Sequence, residues 1–312
     1  MDVSVIIVTR NTRDLTLVAV ASVFDSEGDF GREVIVVDNG STDGTEAAVR
    51  TRFPSVNYHF SARNLGFGGA NNLAASSTTC EFLLLLNSDA RLQARSLGDA
   101  LSWMRANPQC GLAGAQLLNP DGSRQNSIAN DPTLATELLN KSLLRRVFPV
   151  KFPGKESHFI GPVSVESVIG AFFLTRRTLW ERIGGFDPRY FFFFEETDFC
   201  RALRTGGQSV MHLPQISVWH AQGRSASQWP VAARIEYWRS RYAYFAKHRR
   251  PVVCAVLRIG LLVRLVADFA LNSLATLISL GRSHKLRHKF TVQRTLLGWH
   301  LRGCPDDVGL PR

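Results

Sequence analysis

The N-terminal part of the chain alternates between short, almost uninterrupted apolar runs and polar segments that carry glycine. Val3 to Thr9 is apolar and rich in β-branched residues, the pattern of a strand buried on both faces of a parallel sheet. Asn11 to Val23 reads as the helix that follows, and Glu33 to Asp38 as a second buried strand. The turn-rich segment Asn39-Gly40-Ser41-Thr42-Asp43-Gly44-Thr45 then leads into a helix from Thr45 to Arg52. Asn57 to Phe60 makes a third short strand, the glycine-rich piece Asn64 to Asn72 leads into another helix, and Glu81 to Leu86 is the fourth strand. Strand and helix in alternation predict an open, doubly wound α/β fold with a mostly parallel sheet, whose ligand crevice lies at the carboxyl ends of the strands.

Past Gly111 the pattern loosens into polar loops around Asn119 to Pro132 and Pro149 to His158, then a strand over Val165 to Thr175 and a short helix over Thr178 to Ile183. Trp229 to Arg250 is helical in pattern and dense in Arg and Tyr. The most apolar stretch, Pro251 to Gly281, is interrupted by Arg258, Arg264 and Asp268, and its longest uncharged run is 13 residues. Crossing a bilayer takes ~20 mostly apolar residues, so this stretch reads either as a helix lying in a membrane interface or as a packing helix of a globular unit.

The composition, 45% hydrophobic and 20% charged over 312 residues, excludes a disordered or fibrous chain. The net charge of +11 is concentrated. Residues 1–230 carry 22 Lys and Arg against 22 Asp and Glu, whereas residues 231–312 carry 15 against 4. A neutral domain over 1–230 and a basic helical extension over 231–312 are therefore expected, the latter meeting an anionic surface, either membrane headgroups or nucleic acid. Five cysteines, at 80, 110, 200, 254 and 304, form no close pair, which argues against a disulfide framework or zinc cluster and for a reducing compartment. Met1-Asp2-Val3-Ser4 lacks the basic and small-residue features of a targeting peptide, so a cytoplasmic location is expected.

Polar residues gather at the expected strand ends: Thr9, Arg10 and Asn11, then Asp38, then Arg63 and Asn64, then Asn87, Ser88 and Asp89. An aspartate at the second strand's mouth suits a nucleoside, an arginine suits a phosphate, and Asp89 at the end of a leucine run suits a hard cation shared with substrate phosphates. Each Asp is equally readable as a helix cap; four strand ends together favour the crevice. Glu195, Glu196 and Asp198 follow four phenylalanines, where crowding of acids and apolar surroundings prepare a general base, although acids also favour a helix start. His220 is a further candidate metal ligand beside Asp89.

These segments resemble the family 2 glycosyltransferases of GT-A fold, and within them the bacterial rhamnosyltransferase branch. The resemblance rests on Val3 to Thr9, Val36 to Thr45, Arg63 to Asn72, Leu84 to Ala90, Ile169-Gly170-Ala171, Gly184-Gly185-Phe186-Asp187 and Glu195 to Asp198, and it covers about residues 2 to 250. It implies a GT-A nucleotide-diphospho-sugar transferase fold with a C-terminal basic helical extension. It implies that Asp38 holds the base, that Thr9, Arg10 and Asn11 line its pocket, and that Arg63 and Asn64 face the diphosphate. Asn87 occupies the first position of the family's Asp-x-Asp metal motif and Asp89 the last, so binding of Mn2+ or Mg2+ rests on Asp89 with His220. Glu196 matches the acid that takes the acceptor proton, with Glu195 and Asp198 in support, and Gly170 and Ala171 pass their backbone near sugar and acceptor.

The expected reaction is displacement with inversion at the anomeric carbon, from a nucleotide-sugar donor to a hydroxyl of a cell-envelope glycan or lipid-linked acceptor. The donor is first thymidine diphosphate rhamnose, with a uridine diphosphate hexose as the alternative. A nucleotidyltransferase would carry glycines and a cation directly after the first strand, which Thr9-Arg10-Asn11-Thr12 lacks. A nucleic-acid-binding protein would have no use for the acid cluster at 195 to 198. The basic extension suits peripheral contact with an anionic inner membrane, and no nucleic-acid partner is expected.

Overall fold

The computed structural model describes residues 1–153, 159–222, 229–280 and 282–312 of the chain. The ends of the expected loop at Pro149 to His158 and of the segment after His220, as well as Gly281, lie outside them.

The strands and helices begin as β1 (Val3–Thr9), α1 (Arg13–Phe24), β2 (Arg32–Asp38), α2 (Thr45–Arg52), β3 (Asn57–Phe60), α3 (Gly66–Ala75) and β4 (Phe82–Asn87). Next come β5 (Ala90–Leu92), α4 (Ser96–Ala106), β6 (Cys110–Leu118), β7 (Ile128–Ala129), α5 (Leu134–Leu138) and α6 (Lys141–Val147). The chain continues with β8 (Val163–Ser164), β9 (Ser167–Val168), β10 (Phe172–Arg176), α7 (Arg177–Ile183), α8 (Glu195–Thr205) and β11 (Ser209–His220). It closes with α9 (Pro230–His248), α10 (Pro251–Ile278) and α11 (His284–Leu301).

These elements divide into two compact units, Met1–Asp131 with Pro149–Ser225, and Pro132–Phe148 with Ala226–Pro311, Arg312 being assigned to the first. The first unit holds the sheet, in the order β3-β2-β1-β4-β10-β6-β11-β5 with β8 added to β11. Strands β3, β2, β1 and β4 are parallel, β10 runs antiparallel between β4 and β6, and β11 is parallel to β6. The apolar runs are continuous because both faces are covered. Val3, Val5 and Ile7 of β1 pack in one cluster with Val20, Val23, Leu97 and Met104, and Ile6 packs in the other with Ala70, Ala74, Trp180 and Phe199.

The expected single strand over Val165 to Thr175 is two, β9 and β10, because the peptide Ile169-Gly170-Ala171 leaves the ladder between them. The glycine-rich piece is itself helical from Gly66 onward, and its first helical position has a steric need for glycine. Gly66 has φ +72°, and a Cβ there would lie 2.2 Å from the carbonyl oxygen of Phe191. The 186–194 segment thus rests directly on the start of α3.

The second unit is helical. Glu137 and Arg241 form a buried ion pair at 3.2 Å, with the guanidinium 4.5 Å above the Trp238 ring. Helices α10 and α11 are joined by the stacked rings of Phe269 and Phe290, 5.2 Å apart, and by Asn272 donating to Gln293 at 2.8 Å. Among the described residues no helix is long and apolar enough to cross a membrane.

Candidate active site

Register brings the polar strand ends side by side. Thr9 of β1 pairs with Asp38 of β2, and Val8 pairs with Asn87 of β4, so the three strands finish level at one edge of the sheet. Their loops are stapled together. Asn11, held at φ 51°, donates its backbone N–H to the Ser41 hydroxyl at 2.8 Å and accepts from the Thr42 N–H at 2.8 Å. Asn39 accepts from the Leu65 N–H and donates to the Gly66 carbonyl, both at 3.1 Å. Nothing in the sequence marks Asn39 for this role, because a polar turn residue gives no sign of bridging to a loop 26 positions away.

Asp38 is fully buried. Its Oδ1 accepts from the Ser41 N–H at 2.7 Å and its Oδ2 from the Tyr58 hydroxyl. Burial together with that carboxylate drives the Tyr58 phenol well above its ordinary pKa. Burial lowers the pKa of Arg10, with Asp38 pulling the other way. Thr9 turns its hydroxyl toward α1, 2.7 Å from that of Thr16. Arg63 is exposed, and Asn64 caps its own turn by accepting from the Gly66 N–H at 3.0 Å.

Asp89 and His220 meet because β11 pairs with β5 so that His220 sits opposite Ala90, the residue after Asp89. The His220 Nε2 lies 3.3 Å from Asp89 Oδ1 and 3.4 Å from the Asn87 amide nitrogen. His220 ends β11, a strand of 12 residues. Its other nitrogen, Nδ1, lies 3.0 Å from Gln125 Oε1, and the Gln125 amide donates to the His220 carbonyl at 2.6 Å. An Nδ1–H donated to Gln125 leaves the Nε2 lone pair aimed at Asp89, the tautomer a metal ligand requires. Among the described residues no group of three or more His, Cys, Asp and Glu side chains is gathered to hold a metal. One carboxylate, one imidazole and the neighbouring Asn87 amide fit a divalent ion that takes its remaining ligands from substrate phosphates.

The acids stand at the start of α8. Phe193 and Phe194 precede them at φ 71° and 73°, a left-handed pair that bulky residues rarely adopt and that costs backbone energy. Phe67 N–H donates to the Phe191 carbonyl at 3.0 Å, fastening this aromatic turn to α3. Glu195 and Asp198 are buried, and Tyr190 donates to Asp198 Oδ1 at 3.2 Å. Glu196 has a fully buried Oε2 that no hydrogen bond satisfies, and burial raises its pKa against the opposing pull of the backbone amides of residues 196 and 197. Gly170 lies against it, the position of a Cβ there falling 3.9 Å from Glu196 Cβ. The next residue, Ala171, packs its methyl in the core and accepts from the Asn87 N–H at 3.2 Å. One short peptide thus touches both the Asn87-Asp89-His220 edge and the acid.

The fold is shared with solved glycosyltransferases of GT-A fold. A mannosyltransferase from Pyrobaculum calidifontis, solved with GDP-Man and Mn2+, aligns over 96% of this chain and 86% of its own, with TM-score 0.55 and 21% identity. Residues 1–349 of TarS from S. aureus align over 97% and 92%, with TM-score 0.53 and 18% identity. At those identities the likeness shows the fold. The sequence profile described as Glycosyl transferase family 2 matches residues 4–184, more than half of the chain, and the protein belongs to that family. Its relatives include the N-acetylglucosaminyl-diphospho-decaprenol L-rhamnosyltransferase of Mycobacterium tuberculosis, 26% identical over 238 residues that cover 68% of this chain and 74% of that protein. The O-antigen biosynthesis protein RfbC of Myxococcus xanthus is 27% identical over 78% of this chain, and the match spans 19% of that longer protein. The chain is a glycosyltransferase with rhamnosyltransferase-like relatives.

Proposed function

We propose that this glycosyltransferase moves L-rhamnose from thymidine diphosphate rhamnose to a hydroxyl of a lipid-linked cell-envelope glycan, with inversion, at the cytoplasmic face of a membrane. The observation that carries the reading is the peptide Gly170-Ala171, which lies against Glu196 on one side and bonds Asn87 on the other. Sugar held over that peptide has a base at one hand and a cation-suited edge at the other. The name of the mycobacterial relative supports rhamnose and a diphosphate-linked lipid acceptor.

In this reading Asp38 and Arg10, with Thr9 and Asn11, form the nucleoside end, and Arg63 and Asn64 face the diphosphate. Asp89 and His220, beside Asn87, hold Mn2+ or Mg2+, which when bound neutralises charge on the departing diphosphate. Glu196 takes the proton from the acceptor hydroxyl as that oxygen attacks the anomeric carbon; its buried, unsatisfied Oε2 and raised pKa suit a base. Glu195 and Asp198 hold the start of α8. The basic C-terminal run is assigned to a membrane surface rather than nucleic acid.

The test is a thermal-shift panel of thymidine, uridine and guanosine diphosphates with and without Mn2+, on wild type and Asp89→Ala. A metal-dependent shift with the thymidine nucleotide alone, lost in Asp89→Ala, supports the reading. A shift confined to the uridine nucleotide replaces the donor with a uridine diphosphate hexose, and no shift with any nucleotide sinks the assignment of the crevice.

A further inference from the structure

Helix α10 has two apolar faces, and only one is used inside its own unit. Leu257, Leu261 and Leu265, four residues apart, are buried, and Gly260 lies close enough to Leu138 of α5 that a Cβ there would come within 2.8 Å of its Cδ2. On the far side Val252, Val256, Ile259, Val263 and Val266 follow one another at steps of four and three residues, and Leu271, Leu274 and Leu277 extend the stripe. These side chains are open to solvent, Ile259 at 63%, Val263 at 64% and Leu277 at 72%.

A helix of 28 residues is ~42 Å long, and an aliphatic stripe along most of it exceeds the patches an isolated globular surface ordinarily leaves exposed. Crossing a bilayer is excluded for this helix by its hydropathy. Its neighbourhood says what covers the stripe. Arg258 and Arg264 stand exposed on α10, and Arg282, Lys285, Arg287, Lys289 and Arg294 are exposed just beyond it. The run from 231 to 312 has 15 cationic side chains against 4 acidic ones. Two copies meeting through this stripe would bring like charge together, whereas anionic headgroups beside an acyl boundary satisfy both the apolar stripe and the cations.

We infer that the Val252–Leu277 stripe of α10 is a docking surface for an anionic lipid bilayer, lying in the plane of its interface with the basic residues on the headgroups. The inference extends the reading of a membrane-borne acceptor by naming the surface of this chain that meets the membrane.

The experiment is flotation of the full chain with vesicles of phosphatidylglycerol and phosphatidylcholine in equal parts, or of phosphatidylcholine alone. The comparison is with the exposed-stripe variant Ile259→Ser/Val263→Ser/Val266→Ser and with Lys285→Glu/Arg287→Glu/Lys289→Glu. Wild type is expected to float with the anionic vesicles and not with the neutral ones. Both variants should lose at least about tenfold in partitioning, and added salt should weaken the wild type. Wild type left behind by anionic vesicles, or a stripe variant that floats as wild type does, overturns the proposal. So does a lipid-free dimer that the stripe substitutions abolish. The nucleotide thermal shift, run on the same preparations, separates the two readings. Flotation without a nucleotide shift overturns the donor site alone, and a nucleotide shift without flotation overturns the docking surface alone.

Discussion

The Nδ1 of His220 lies 3.0 Å from Oε1 of Gln125, so the ring's remaining nitrogen faces Asp89 at 3.3 Å. Gln125 is itself fixed, its amide donating to Asn119 at 2.8 Å and to the His220 carbonyl at 2.6 Å. In the proposed metal site it would act on the cation through the imidazole, as a positioning residue. Gln125→Leu should weaken Mn2+ binding about 10- to 100-fold, read by calorimetry in the presence of a nucleoside diphosphate. Gln125→Glu, which keeps an acceptor for Nδ1–H, should restore most of it. Equal affinity in wild type and Gln125→Leu would show that the tautomer is set elsewhere.

Glu196→Gln keeps the shape of the acid and removes its basicity, so turnover should fall about 10²- to 10⁴-fold while the nucleotide thermal shift is unchanged. Only ionised Glu196 accepts a proton, and burial raises its pKa, so kcat/KM should climb with pH through a value above the ordinary carboxylate range. The same shift bears on stability. With its pKa higher in the folded chain than in the unfolded one, the group favours folding fully below the unfolded pKa, and that contribution is lost as pH rises through the folded value. Glu196→Gln should accordingly melt higher than wild type at neutral pH, and the gap should close in acid below the unfolded pKa. A variant that melts lower than wild type at neutral pH would contradict the raised pKa.

Gly66→Ala places a methyl 2.2 Å from the Phe191 carbonyl oxygen at a residue with φ +72°. The left-handed backbone alone costs an L-residue about 1–2 kcal/mol, and displacement of the aromatic turn adds to it. A loss of at least ~2 kcal/mol in urea unfolding is expected, with a fall in turnover, because Phe191 leads into the strained pair before Glu196. Unchanged stability would mean that the 186–194 segment moves off α3 without cost.

Tyr58→Phe removes the hydroxyl that donates to buried Asp38 Oδ2. Leaving a buried carboxylate oxygen without that donor should cost about 1–3 kcal/mol. Nucleoside diphosphate binding, read by the thermal shift, should weaken as Asp38 loses one of its two anchors. Binding at wild-type strength would assign the anchoring to Ser41 alone.

The strands β1, β2 and β4 were legible because a strand covered on both faces has to be apolar throughout, and each run ended in polar residues, whereas β3 is a short, partly exposed edge strand of mixed residues. The pairing that completes the sheet was not. That β10 inserts antiparallel between β4 and β6 depends on contacts between distant segments, to which no local pattern corresponds. Helix α3 was expected, but its start at Gly66 was hidden among glycines that ordinarily disfavour a helix and here admit Phe191. The pairing of Asp89 with His220 could be suspected from chemistry, whereas Gln125 could not, since a glutamine in a polar loop carries no mark of the ring it will orient. In α10 the sequence showed an apolar helix and left open which face was buried, because both faces are apolar and only packing inside the helical unit, against Leu138 and α11 among others, tells them apart.

The staples at Asn11 and Asn39 bear on how such a crevice can change. Three strand-end loops are tied by side chain to backbone, Asn11 reaching the loop at Ser41 and Thr42, and Asn39 reaching Leu65 and Gly66. Residues joined in one hydrogen-bonded network in this way give non-additive effects when altered together. A substitution that suits a new nucleotide in one loop shifts the other two, so altered donor preference would arise through coordinated changes across all three loops, and single-site exchange between relatives would tend to lose activity before it gains a new donor.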